Sequence, residues 1–368
     1  MGDKICESVV PQLYSTEDYR VLKPGATVSH EGATFSVENF GDVRPVVVRP
    51  DGVKEGKEDN VLLFQAGYMM PPTSVFGDRF IPPLIEELKE HNGIGVFYSP
   101  FGRGTENPEE RIGRVSADEI RREVATCIKI ISDSGPFNTR YPARVTLGGH
   151  SLGGQTALSI LGNPEEYGFT NRYFSGALAY CPIPVPDSRA IALTERFGSR
   201  WNPLDGDIFD GNLGVRNRLN SSLFTGPVRM GTFPVLKSLA TGNGVHFDKE
   251  KARKFFGVED DEVLDRLFGD SGVYFLQTLL TNSSEAITAG LRGKVVSIMT
   301  AHGDPMVSPV AAKRTAGAYS NAEANVTSSQ VPGGHFAPFF ECGESASPDT
   351  PQTIAWNRLL LDKVLKGA

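Results

Sequence analysis

Val61-Leu62-Leu63-Phe64 contains no polar residue and follows a charged, glycine-containing stretch from Asp51 to Asn60. A run of this kind fits a strand buried on both faces, because a strand with one wet face alternates apolar with polar residues. Similar runs recur at Gly95 to Tyr98, Ala143 to Leu147, Phe174 to Tyr180 and Val295 to Met299. Helical patterns lie between them. Ser116-Ala117-Asp118-Glu119 has the form of a capping box, and Ile120, Val124, Ile128 and Ile131 follow along one stripe. Thr350-Pro351 opens a last helix that runs through Ile354, Leu360 and Val364. Buried strands alternating with amphipathic helices predict an α/β chain: a mostly parallel central sheet with helices on both faces. Glu31 to Pro50 reads differently, as two β-rich runs joined through Gly41-Asp42, which predicts an antiparallel hairpin.

The alternation stops between Cys181 and Leu291. Pro182, Pro184 and Pro186 open this stretch, and short amphipathic segments follow at Val228 to Leu239, Lys249 to Phe256 and Glu262 to Phe268. Structureless loops of such length are rare in compact domains, so the stretch predicts an inserted helical cap. The chain then divides into a first core part at 1–181, a cap at 182–270 and a second core part at 271–368.

Composition removes several classes of function. With 37 Lys+Arg against 44 Asp+Glu the net charge is −7, which argues against a nucleic-acid partner that needs a basic face. No apolar run approaches the roughly 18–20 residues of a membrane span. Met1 to Val10 carries Asp3, Lys4 and Glu7 and does not read as a secretory signal. Cys6, Cys127, Cys181 and Cys342 have neither zinc-site nor redox-motif spacing, and they fit reduced thiols in a cytoplasmic protein. Asp205, Asp207 and Asp210 miss the ligand spacing of a calcium loop. No metal, nucleotide or flavin motif is present, so no cofactor is expected.

Gly149-His150-Ser151-Leu152-Gly153 matches G-x-S-x-G. In a chain with 40 Gly, chance alone gives such a match about once in three sequences, so the surroundings must decide. Here the motif follows the run Ala143 to Leu147 and precedes a helical segment from Gly153 to Leu161. That context exposes Ser151 at a sharp strand-to-helix turn beside a helix N-terminus, whose dipole favours developing negative charge. A hydroxyl becomes a good nucleophile only when a base takes its proton and a carboxylate holds the base. Asp304 lies just beyond the run Val295 to Met299, on the strand edge where Ser151 is expected. His335 follows 31 residues later, after a β-like stretch at Val326 to Val331, so the order is Ser, Asp, His.

Together, GHSLGGQ around Ser151, HGDPMV around Asp304 and GGHF around His335 resemble the α/β-hydrolase superfamily of lipases, esterases and thioesterases. The resemblance covers about 31–181 and 291–368 and does not reach the cap. It implies the α/β-hydrolase fold and a Ser151-His335-Asp304 triad acting on a small-molecule carboxylic ester or thioester through an acyl-enzyme. It also implies an oxyanion hole from the backbone amides of Leu152 and Tyr68. At that second turn the family usually has His-Gly, whereas this chain has Ala66-Gly67. Phe101 to Thr105 resembles the family's Arg-Gly turn and reads as structure. An acyltransferase using the same triad, or a non-enzymatic receptor on the same fold, are the competing readings.

Other residues compete for these roles. Asp187 occupies an alternative acid position, and chain order favours Asp304 over it. His302 precedes the loop where a base belongs. His150 should point away from an exposed Ser151, and both histidines read as structural. Cys181 reads as a small buried apolar thiol. Phe224 and Phe233 could line an acyl pocket or pack the cap itself.

Overall fold

The computed structural model describes residues 4–15, 22–41, 43–67, 70–99, 117–133, 144–182, 291–302, 304, 309–340 and 350–367. Of the expected cap only Pro182 falls within them. The amphipathic segments of 182–270, Asp187, Phe224 and Phe233 lie outside, as do Tyr68, the Phe101 to Thr105 turn and the Ser116 cap.

Among the described residues, nine strands form one sheet in the order β1-β2-β3-β5-β4-β6-β7-β8-β9. Their ranges are β1 Thr27–His30, β2 Ala33–Val37, β3 Val46–Pro50, β4 Asn60–Gln65, β5 Gly93–Tyr98, β6 Arg144–His150, β7 Phe174–Tyr180, β8 Val295–Ala301 and β9 Asn325–Val331. The first three strands run antiparallel to their neighbours, and β4 through β9 are parallel to one another. The expected hairpin is β2 with β3, where Val37 pairs with Val46. Among the described residues six α-helices accompany the sheet: α1 Lys4–Leu13, α2 Ile81–Glu90, α3 Ala117–Asp133, α4 Leu152–Gly162, α5 Pro309–Asn321 and α6 Thr350–Lys366.

Every residue of β4 and β5 is buried, and alternate side chains feed two cores. Val61 and Leu63 join the core built with Val124 and Ile128 of α3 and Leu158 of α4. Leu62 and Phe64 join the opposite core, with Leu84 and Leu88 of α2 and Leu360 and Val364 of α6. This is why the β4 sequence shows no alternation: both faces are dry. The sequence pattern did not reveal α2, because Pro82-Pro83 resembles a break. In fact the prolines occupy the first turn, where a missing amide N–H leaves no helical bond unmade.

Register fixes the site. Gln65 pairs with Gly149, His150 with Tyr180, Tyr180 with Met299, and Ala301 with Val331. The carboxyl ends of β4, β6, β7, β8 and β9 therefore meet at one edge, where ligands bind in sheets of this kind. Beneath that edge lies an aromatic cluster. The Phe64 ring sits 5.3 Å from Phe97, 5.6 Å from Phe80 and 6.1 Å from Tyr180. Phe64→Ala should cost about 3–5 kcal/mol, read by equilibrium urea unfolding, because rigid neighbours on β5, β7 and the start of α2 cannot collapse into the gap. A loss below about 1 kcal/mol would show that the cluster repacks freely.

Candidate active site

Ser151 joins β6 to α4 in a single residue. Its backbone lies at φ 55 and ψ −116, far from both strand and helix values, a conformation that costs on the order of 1–3 kcal/mol for a residue with a Cβ. Its N–H donates to Tyr180 O at 2.9 Å, and its carbonyl accepts from Gln155 N–H at 3.1 Å. The turn closes only because its flanks are glycine. A Cβ on Gly149 would lie 2.2 Å from the Gly153 carbonyl carbon, and one on Gly153 would lie 2.3 Å from Gln65 O. Helix α4 thus rests directly on the ends of β4 and β6, and its first amide, that of Leu152, starts beside Ser151.

A strained serine in this turn, just after the third strand of a parallel half that runs β5-β4-β6-β7-β8-β9, decides the architecture. The fold is the α/β-hydrolase fold. No family model matches the sequence, and no curated protein matches it. Among solved structures, a hormone-sensitive lipase from a metagenome library is 12% identical, with 91% of this chain and 86% of that one covered at a TM-score of 0.47. A serine hydrolase from Cycloclasticus zankles is 14% identical, covering 90% of this chain and 97% of its own at a TM-score of 0.46. An esterase from the bacterial hormone-sensitive lipase family is 13% identical, covering 93% and 88% at 0.46. The assignment of the α/β-hydrolase fold rests on strand order and the elbow.

The two residues expected as acid and base, Asp304 and His335, lie side by side in the structure. His335 Nδ1 lies 2.7 Å from Asp304 Oδ2, a distance expected of a charge-assisted bond. Asp304 is 1% exposed, His335 6% and Ser151 5%, so the three groups sit in a low-dielectric setting. Asp304 is reached by a turn closed from its N–H to Ala301 O at the end of β8. The His335 loop leaves β9 and is clamped from below. Arg79 donates to Ala337 O at 3.2 Å and to Thr350 Oγ1 at 2.7 Å, while Asn357 donates to Pro338 O at 2.8 Å and to Arg79 O at 2.7 Å. Neither Arg79 nor Asn357 stands near the motifs in sequence, and no local signal announces them.

The remaining candidates separate clearly. His302 is exposed. His150 is buried, and its ring packs 4.5 Å from that of His335, a contact that side-chain alternation along β6 does not foretell. Gly67 lies against both the elbow and this histidine: a Cβ there would stand 3.4 Å from Ser151 Cβ and 3.2 Å from His150 Nδ1. The turn that should carry the second oxyanion amide is therefore at the serine, though Tyr68 itself lies outside the described residues.

Cys181 does more than fill space. It follows β7 with a positive φ of 42, and its sulfur, Asp304 and His335 place potential ligand atoms within 4.8 Å of one another. A soft metal would require the thiolate. Burial, and then the adjacent Asp304 carboxylate with its hydrogen bond, push the Cys181 thiol well above its usual range, so it stays protonated and donates to Asp304. Cys181 should accordingly resist iodoacetamide in the folded protein at pH 8 and react once urea is added, as read by peptide mass mapping. Rapid modification of the native protein would mean an ionised thiol beside the carboxylate.

Proposed function

We propose that the protein is a serine hydrolase that cleaves a carboxylic ester or thioester through an acyl-enzyme on Ser151. One observation carries the reading: a strained elbow serine shares a buried strand edge with a histidine already bonded to a carboxylate at 2.7 Å. Ser151 Oγ attacks the acyl carbonyl carbon while His335 Nε2 takes the hydroxyl proton. Asp304 accepts from His335 Nδ1–H, which fixes the tautomer and stabilises the imidazolium. The amide of Leu152 at the start of α4, with that of Tyr68 after Gly67, would hold the oxyanion. His335 then protonates the departing alcohol or thiol. Water attacks the acyl-enzyme with His335 as base, releasing the acid and restoring Ser151.

An apolar cavity near this edge would receive the substrate's acyl chain. A cavity of about 360 Å³ is lined by Val10 of α1, Met70, Pro71, Phe336 and Phe340, among others. Two of its lining residues lie near the site: Phe336 packs 4.7 Å from His150 and 5.6 Å from His335, and Met70 Cγ would lie 3.5 Å from a Cβ on Gly67. An apolar wall beside the nucleophile selects hydrocarbon, each buried methylene adding about 0.8 kcal/mol. The inserted cap would close over this edge and refine the choice.

Ser151→Ala should abolish turnover of p-nitrophenyl esters while the urea midpoint changes little. Asp304→Asn should lower kcat by roughly 10⁴-fold, through the wrong imidazole tautomer. Turnover by Ser151→Ala within a few-fold of wild type would remove the serine from the mechanism. For the cavity, Val10→Trp should shift the optimum toward shorter acyl chains at fixed alcohol, with about a fourfold loss in kcat/KM for each methylene displaced. An equal loss across the whole acyl series would assign α1 a purely structural part.

A further inference from the structure

His150 is the residue that the proposed mechanism leaves unused and the structure places at its centre. It ends β6, is 1% exposed, and its side chain touches two separate segments at once. Its Nε2 lies 3.1 Å from the backbone carbonyl of His335. Its ring lies 4.5 Å from the His335 ring at a tilt of 47°, with Phe336 at 4.7 Å and Phe339 at 5.0 Å completing an aromatic wall. Its other nitrogen, Nδ1, faces Gly67 and has no hydrogen-bond partner among the described residues. A carbonyl oxygen can only accept, so Nε2 carries the proton and His150 is the neutral Nε2–H tautomer. Burial, and then the neighbouring His335, hold its pKa well below the usual histidine value, which keeps that tautomer neutral.

The His335 loop is irregular, with Gly333 at φ 109, and its clamp from Arg79 and Asn357 acts two or more residues downstream at Ala337 and Pro338. At His335 itself the side chain is held by Asp304 and the backbone carbonyl by His150. Two fixed points define the ring's orientation; Asp304 alone would let it pivot about a single bond.

We propose that His150 is a positioning residue for the base: its Nε2–H fixes the His335 carbonyl and its ring fixes the His335 plane, so that the base keeps its alignment with Ser151. This inference rests on the serine-hydrolase reading for its catalytic consequence, but not for the contact itself. The position between the two glycine-bounded turns also explains why an aromatic ring with a donor at its far end suits this place. A phenyl ring fills the volume but leaves the carbonyl unpaired, whereas glutamine reaches the same distance with an amide N–H.

The test compares wild type, His150→Phe and His150→Gln. His150→Phe should lower kcat about 10- to 100-fold while KM stays within about threefold, the pattern of misplaced chemistry with unchanged ground-state binding. His150→Gln should recover most of that loss. Equal kcat in wild type and His150→Phe would overturn the proposal, and so would a failure of glutamine to do better than phenylalanine. Imidazole ¹⁵N spectra read the same contact without turnover. They should show His150 neutral and protonated at Nε2 near pH 7, and His335 resonances displaced in His150→Phe and largely restored in His150→Gln. A protonated or Nδ1–H His150 in wild type would overturn the inference even if the variants fold poorly. If wild type hydrolyses no ester, the serine-hydrolase reading falls, and the spectra alone still decide the place of His150.

Discussion

A chain that must turn from strand to helix within one residue imposes its terms on everything around it. At Ser151 the turn is possible because Gly149 and Gly153 let α4 settle onto the backbone of β4 and β6, where any Cβ would overlap carbonyl atoms at about 2.2–2.3 Å. The contact brings the helix N-terminus, the serine and the Gly67 turn into one small volume. The backbone strain at φ 55 is carried by that packing and by the bond from Ser151 N–H to Tyr180 O. The parallel register then brings in the remaining groups, because β8 and β9 end two residues beyond the level of β6 and carry Asp304 and His335 to the same edge.

Burial sharpens the electrostatics of this edge. The carboxylate of Asp304 is matched by two donors, His335 Nδ1–H and the Cys181 thiol, which satisfies a charge that would otherwise be costly away from water. The neighbouring aromatic residues Phe336 and Phe339 exclude solvent, and His150 adds an uncharged ring beside that of His335. Among the described residues no helix is long and apolar enough to cross a membrane.

Much of this was readable in the sequence, for physical reasons that differ by element. Strands such as β4 and β7 announce themselves because burial on both faces leaves runs of apolar residues. Ser151, Asp304 and His335 stand out in the sequence because each follows a strand end in the expected chain order, and the structure brings Asp304 and His335 together at that edge. Helix α1 was hidden by Pro11, and α2 by its leading prolines, since breaker residues at helix ends look the same as breaker residues in loops. The contacts of Arg79 and Asn357 with the histidine loop join positions far apart in the chain, as does the bond from His150 to the His335 carbonyl, across 185 residues. Nothing local encodes such contacts; they arise only when the sheet forms.

The claim on which the rest depends is that Ser151 is an activated nucleophile, and covalent capture tests it most directly. Wild-type protein treated with a fluorophosphonate should gain one adduct by intact mass, and peptide sequencing should place it on Ser151. The same treatment of His335→Ala should leave the serine almost unmodified, since its hydroxyl then lacks a base. An adduct on another residue, or labelling of Ser151 at equal rates with and without His335, would contradict the triad built from this strand edge.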